Sequence, residues 1–437
     1  MSTSTLPTPG TVRPRQSALK TLFGTGVGNA LEWYDWNVYA TFSVYLAAAL
    51  FSTDNPQSAF LKTLAVFAVG FVARPFGGLV FGWIADKIGR KHSLALAVIF
   101  ASLGSLLIGL TPSYASWGAW SSALLLVARL IQGLAHGGEL PSAQTYLSEQ
   151  APAARRGLWA SAIYMTGTLD CWSVWVWACC CRAVLTKEQM GDFGWRIPFV
   201  VGAVLGLFAL FIRSRMDESE VFESGKSDAA AMKVSVWRDL AAHWKPALQV
   251  IGMTVGLTIT YYIWSVSIAA VAQKSLGYSA EQAFEASLIG NIVFIAVLPF
   301  WGMFSDRYGR KPAMLIAMVG AAIAYVPMLM LVRGQFWQLL VAICVMLILL
   351  GAFLAIAPAA YAEMFPTHVR ATGFGLPYSI AIAAFGGTAP YINTWLSGYS
   401  RWHFAGYAIV ALLISAATIL TLKESRGKHL GEAVTDR

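Results

Sequence analysis

The chain has 437 residues, of which 57% are hydrophobic and only 12% charged, and its mean hydropathy is +0.60. A soluble domain carries about 25% charged residues, and a disordered chain is poorer in apolar ones, so both classes are excluded. The net charge of +9 sits in short loops between long apolar segments, the pattern of a polytopic membrane protein rather than of a nucleic-acid binder.

From the N-terminus, residues 1–20 are polar and include Pro7, Pro9 and Pro14, so no cleavable signal is expected. A helix needs roughly 20 mostly apolar residues to cross the hydrocarbon core. Twelve such spans are predicted, near 21–50, 60–85, 93–111, 119–147, 157–183, 195–213, 247–272, 284–304, 312–332, 336–360, 371–397 and 402–422. One long polar segment, 214–246, mixes Asp217, Glu218, Glu220 and Glu223 with Lys226, Lys233 and Arg238. The expected organisation is a tail (1–20), a six-helix bundle (21–213), a central loop (214–246), a second six-helix bundle (247–422) and a tail (423–437). The predicted fold class is an all-α membrane protein of two pseudo-symmetric bundles. Of the 31 Lys and Arg residues, 22 fall on the face that holds both termini and the central loop, 7 on the opposite face, and Arg74 and Arg129 inside spans. That bias predicts cytoplasmic termini in a cell inner or plasma membrane.

The halves echo each other. GWIADKIGRK (82–91) matches GMFSDRYGRK (302–311), and YLSEQAPAARRG (146–157) parallels YAEMFPTHVRATG (361–373). Each pair falls in the same loop of its half. Repeated halves mark alternating-access transporters, whose substrate site lies near the midplane between them.

The loop GWIADKIGRK resembles the signature that follows the second helix in the major facilitator superfamily. GNALEWYDW (28–36), FAVGFVARPFGG (67–78), ARLIQGLAHGGE (128–139) and GWRIPF (194–199) narrow the resemblance to its metabolite:proton symporter family. YSIAIAAFGGTAPYI (378–392) is similar to the branch that carries 2-oxoglutarate and other dicarboxylates. The resemblance covers about residues 20–425 and implies the major facilitator fold.

An ionisable residue at the centre of a span costs about 2.5–3.5 kcal/mol on the insertion scale. Five stand there: Glu32, Asp35, Arg74, Arg129 and Glu139, all in the first half. Glu32 and Asp35 are three apart and share a helix face, with Tyr39 a further turn along. Asp35 is read as the proton carrier assisted by Glu32, or else as a helix-packing partner. Arg74, beside Pro75 and among Gly70, Gly77 and Gly78, offers a planar fork for a carboxylate. It is either a substrate clamp or a structural partner of Asp35 or Glu139. Arg129, Gly133 and Gly137 recur every four residues, a stripe that permits close helix packing. The resemblance implies that Arg129 takes part in proton coupling, and Glu139 is a plausible partner for either arginine. His136 departs from the small residue usual in the family, and a lone histidine on a packed helix is more often structural. The second half contributes Tyr261, Tyr262, Asn291, Tyr378, Tyr391 and Asn393 as uncharged polar groups, of which Tyr261, Tyr262, Asn291 and Tyr378 are read, with Tyr39, as substrate contacts.

The resemblance also implies that the repeated loops govern the conformational switch without touching substrate. That role is carried to Gly82, Asp86, Gly89 and Arg90, and to Gly302, Asp306, Gly309 and Arg310. Pro141, Pro299, Pro327, Pro358, Pro377 and Pro390 within or near spans suggest kinks.

Residues 170–181 read DCWSVWVWACCC. Three adjacent cysteines point around a helix, and no histidine or carboxylate is spaced to complete a metal site. The resemblance implies a Leu/Gly-rich helix here. Back-translating Cys as TGC and Trp as TGG and reading one base earlier gives Leu-Leu-Val-Gly-Leu-Gly-Leu-Gly-Leu-Leu-Leu. The segment therefore reads as a compensated pair of frameshifts or sequencing errors across about 170–182, which clean in-frame codons on resequencing overturn.

The sequence lacks HExxH, GxSxG and GxxxxGK[ST], so neither an enzyme nor an ATP-driven pump is expected. The expectation is a monomeric secondary transporter without cofactor or metal, whose partners are a small organic anion, protons and the lipid bilayer. A dicarboxylate such as 2-oxoglutarate is the leading substrate. A zwitterion such as betaine or proline, or a monocarboxylate such as shikimate or a haloacid, is the alternative.

Overall fold

In a computed structural model of the chain, the described residues are 18–52, 55–87, 90–168, 184–214, 241–365 and 370–427. The cysteine-rich stretch and most of the central loop lie outside them.

The first half holds α1 (Ala18–Leu50), α2 (Pro56–Lys87), α3 (Arg90–Leu110), α4 (Ala119–Gln150), α5 (156–168 as described) and α6 (Arg196–Ser214). In the second half, α7 runs Trp244–Tyr261, widens into a π turn at Tyr262–Val266 and resumes as Ile268–Ser275. Then come α8 (Ala280–Tyr308), α9 (Arg310–Leu331), and α10, which runs Phe336–Leu354 and resumes as Ala357–Met364. Next is α11, Arg370–Ala381 with a π turn at Ile382–Gly386 and a last segment Ala389–Ser397. The final helix, α12, is Arg401–Leu420.

Among the described residues, seven helices are long and apolar enough to cross a membrane. The helix α4 is not among them, and it carries Arg129, Gln132, His136 and Gln144, all buried. The outer surface is apolar: Phe76, Leu110, Leu207, Phe208, Phe300, Ile323 and Val410 are all more than half exposed. Such a belt has no place on a water-soluble monomer and suits lipid. Trp117, Trp120, Trp337, Trp395, Tyr399 and Trp402 ring the face opposite the termini, as an interfacial aromatic girdle does.

Pairing repeats from half to half. The helix pairs α2–α4, α3–α4 and α3–α6 are matched by α8–α10, α9–α10 and α9–α12. The two loop echoes in the sequence thus extend to the packing of whole helices.

Pro141, Pro299 and Pro327 lie inside continuous helices. The departures from regular helix are instead the π turns of α7 and α11 and the break at Ala355–Ile356. Pro358 and Pro390 open the segments that follow such breaks, where the missing N–H leaves no intrahelical bond unmade.

Candidate functional site

The site begins on α1 at Asp35, which is 6% exposed. Its carboxylate accepts a hydrogen bond from Ser105 on α3. Ser105 Oγ accepts from Gln132 Nε2 at 2.8 Å, and Gln132 Oε1 accepts from Arg129 Nη1 at 2.7 Å. Three helices are thereby joined by one polar chain, Arg129–Gln132–Ser105–Asp35. The second Asp35 oxygen faces His136 Nε2 at 3.6 Å.

Both embedded arginines stand over one indole. The Arg129 guanidinium is 3.9 Å from the Trp36 ring centre and 4.3 Å from that of Tyr39. Arg74 is 4.5 Å from Trp36 and 4.5 Å from Phe71. Aromatic faces attract desolvated cations, which offsets part of the cost of placing two charges at this depth. Arg129 is also within electrostatic range of Asp35 and Arg74.

Glycine makes this proximity possible. A methyl group on Gly77, Gly133 or Gly137 would overlap the backbone of Leu134, Gly70 or Arg74 respectively. The helices α2 and α4 therefore touch backbone to backbone, which brings Arg74 and Arg129 to the same ring. The predicted glycine stripe on α4 does this packing.

Across the seam between the halves lies an aromatic cavity. Trp33, Tyr164, Tyr261, Tyr262 and Tyr378 line it together with Thr254, Thr258 and neighbouring apolar groups. Its volume is about 20 Å³, room for one water. Trp33 and Tyr261 meet edge-on at 5.9 Å, Phe71 and Tyr262 at 5.2 Å, and the Tyr164 and Tyr378 hydroxyls share a hydrogen bond of 3.1 Å. The halves are closed on each other here, so a solute larger than water requires them to part.

The termini-bearing face is closed as well. Arg156 Nη1 reaches Glu363 Oε1 at 2.8 Å from the opposite half. Asp306 accepts from the backbone N–H of Gly157 at 2.8 Å and of Leu158 at 2.9 Å, at the start of α5. A carboxylate there completes unsatisfied donors and complements the helix dipole. Arg310 binds both Asp306 (2.7 Å) and Glu363 (3.3 Å). Gly302 lies against Gly157 with no room for a side chain. Gly309 has φ +110° and faces Glu424, whose carboxylate accepts from Arg310 N and Lys311 N at 2.8 and 3.0 Å. All four second-half residues of the repeated loop, Gly302, Asp306, Gly309 and Arg310, thus meet in one interface. Of their first-half counterparts, Gly82 and Asp86 fall in α2 and Arg90 opens α3, but Gly89 and the surroundings of the other three lie outside the described residues.

The remaining candidates separate. Tyr261, Tyr262 and Tyr378 line the cavity. Tyr39 donates to the Thr63 carbonyl at 2.9 Å, a tie between α1 and α2. Asn291 accepts from Ser265 Oγ at 2.8 Å and donates to the Ser287 carbonyl at 2.9 Å, so it serves its own half. The side chains of Glu32 and Glu139 lie outside the described set. Sequence reasoning missed Ser105, Gln132, Tyr164 and Glu363. Only Glu363 carried a signal, as the acid in the second loop echo.

Comparison with known proteins agrees with this architecture. Residues 22–235 match the family described as Sugar (and other) transporter, and residues 253–436 match the Major Facilitator Superfamily. The alpha-ketoglutarate permease of Escherichia coli (strain K12) is 35% identical over 94% of this chain and 95% of its own length. The ectoine/proline transporter ProP of Corynebacterium glutamicum is 32% identical over 96% of this chain and 86% of its own. The chain belongs to the major facilitator superfamily, in its metabolite:proton symporter family. It is a multi-pass membrane transporter, not an enzyme. The solved structure of the proton:xylose symporter XylE shares its fold, with a TM-score of 0.73 at 18% identity over 95% of this chain and 98% of that one.

Proposed function

We propose that this transporter is a proton-coupled symporter that takes up a small organic acid by alternating access, with a dicarboxylate such as 2-oxoglutarate as its substrate. The observation that carries the reading is the Arg129–Gln132–Ser105–Asp35 chain with Arg74 beside it over Trp36. When Asp35 is protonated, the two guanidinium groups lose a counter-charge and present a field matched to two carboxylates. When the anion leaves, that field draws Asp35 back to its ionised form. Proton and anion thus bind with mutual benefit, and such coupling is reciprocal. Asp35 is the proton carrier and Arg74 the substrate clamp, with Glu32 and Glu139 as assisting acids. Tyr261, Tyr262 and Tyr378 close around the solute. The name of the E. coli relative, alpha-ketoglutarate permease, supports the dicarboxylate. Both termini are assigned to the cytoplasm, from the Lys and Arg bias.

A second reading is favoured by the aromatic lining of the cavity. Trp33 and four tyrosines suit a quaternary or secondary ammonium group through their ring faces, and the Corynebacterium relative is named for ectoine and proline. Competition separates the two. Uptake of labelled 2-oxoglutarate into proteoliposomes is measured with unlabelled succinate, 2-oxoglutarate, shikimate, betaine, proline and ectoine. Block by dicarboxylates alone supports the first reading. Absent 2-oxoglutarate uptake, with labelled betaine or proline carried instead, overturns it in favour of the second.

A further inference from the structure

His136 is 2% exposed, and neither ring nitrogen has a hydrogen-bond partner. A buried imidazole left so is uncommon and calls for a reason beyond packing. Its ring is 5.9 Å from that of Trp36, the indole that both arginines cover. Its Nε2 faces Asp35 Oδ2 at 3.6 Å. That distance is too long for a hydrogen bond and short enough for strong charge interaction at this depth.

The two oxygens of Asp35 have separate partners. Oδ1 is tied through Ser105 and Gln132 to Arg129. Oδ2 faces His136. The described charged groups that face the imidazole or share its indole neighbour Trp36 are Asp35 from α1, Arg74 from α2 and Arg129 from α4 itself. The helix α3 contributes the Ser105 hydroxyl and α6 contributes Gly202, against the Asp35 carboxylate. Two guanidinium groups oppose a charge on His136, and one carboxylate favours it. An arriving dianion adds two further negative charges to the favourable side.

We propose that His136 is a second proton-binding group, and that Asp35 and His136 together load two protons for each dianion carried. One proton bonds to a carboxylate oxygen of Asp35 and one to an imidazole nitrogen of His136. The site gains two positive charges, equal to the charge of the dicarboxylate, and both protons leave to water on the opposite side. This rests on the reading of Asp35 as proton carrier.

The test measures stoichiometry. Proteoliposomes hold an imposed pH gradient at clamped zero potential, and the steady accumulation of labelled 2-oxoglutarate is read as the gradient is varied. Two protons give about a 100-fold ratio per pH unit and one proton about tenfold. The wild type is expected to follow the first, His136→Gln the second, and Asp35→Asn to lose driven accumulation. A purely structural histidine leaves the ratio unchanged, so wild-type stoichiometry in His136→Gln overturns the proposal. Driven accumulation persisting in Asp35→Asn instead overturns the underlying proton-carrier reading. A second measurement needs no solute. In protein carrying 15N-labelled histidine, the signal absent from His136→Gln belongs to this residue. It is expected to change between neutral and charged forms as pH is varied, with a pH dependence altered by Asp35→Asn. A signal fixed in one form, or indifferent to Asp35, overturns the proposal.

Discussion

Arg156 of the first half and Glu363 of the second are joined across the seam at 2.8 Å, with both side chains almost wholly removed from solvent. Glu363 also receives Arg310 and the Ser425 hydroxyl, the latter at 2.6 Å. One carboxylate thus holds the start of α5, the start of α9 and the segment after α12 in a single closed arrangement.

Removing one member of a buried ion pair costs about 3–5 kcal/mol, because the partner charge stays buried. If only a third of that falls on the closed state, the balance between closed and open shifts about tenfold. Glu363→Gln is therefore expected to open this face and slow uptake at least tenfold. A cysteine at Ser148, which donates to the Pro358 carbonyl across the same seam, reports the opening. Its reaction with a water-soluble maleimide should speed up in Glu363→Gln. Unchanged labelling contradicts a gating role.

Glu424 gives a pH signature. Burial alone raises its carboxyl, but N–H groups of Arg310, Lys311, Arg426 and Ser425 outweigh that and hold it below the ordinary range. A lowered folded value means that the stabilisation is complete above the ordinary glutamate value of about 4.3. It is lost as pH falls through the folded value. Glu424→Gln should lower Tm at pH 7, and the gap to wild type should close in acid. A gap that does not vary with pH contradicts the assignment.

Much of the site was legible, for identifiable reasons. A charge inside a span is conspicuous, so Asp35, Arg74 and Arg129 stood out. The α4 glycines are readable because spacing alone sets their face. Ser105 and Gln132 look like ordinary helix residues, and only the packing of α3 against α1 and α4 brings them into one hydrogen-bonded chain with Asp35 and Arg129. Asn291 looked like a solute contact because an amide inside a span needs a partner, and sequence cannot show that Ser265 and Ser287 already satisfy it. The π turns of α7 and α11 carry no proline, so the usual sign of a break was missing.

The glycine contact between α2 and α4 predicts a sharp contrast. Gly137→Ala drives a methyl into the Arg74 backbone, and overpacking of a tight site costs about 1–3 kcal/mol or more. Transport should fall at least tenfold and Tm should drop. Gly406→Ala on α12, with nothing within 4 Å of the added carbon, should leave both near wild type. Equal tolerance at the two positions contradicts the close packing.

Tyr378→Phe removes the hydrogen bond that joins the halves at the cavity and leaves the Tyr164 hydroxyl without it. An unmet buried hydroxyl costs about 1–3 kcal/mol. The closed arrangement should weaken, raising KM for the carried solute about tenfold or more. The Michaelis curve of proteoliposome uptake checks this, and an unaltered KM contradicts a part for Tyr378 in closing around solute.

The central claim is that the Asp35 site couples a proton gradient to solute movement. The most direct test is labelled 2-oxoglutarate uptake into proteoliposomes with and without an inside-alkaline pH gradient, for wild type and Asp35→Asn. Uphill accumulation in the wild type only with the gradient, and none in Asp35→Asn, is the predicted result. Accumulation in the wild type that is indifferent to the gradient, or retained in full by Asp35→Asn, contradicts it.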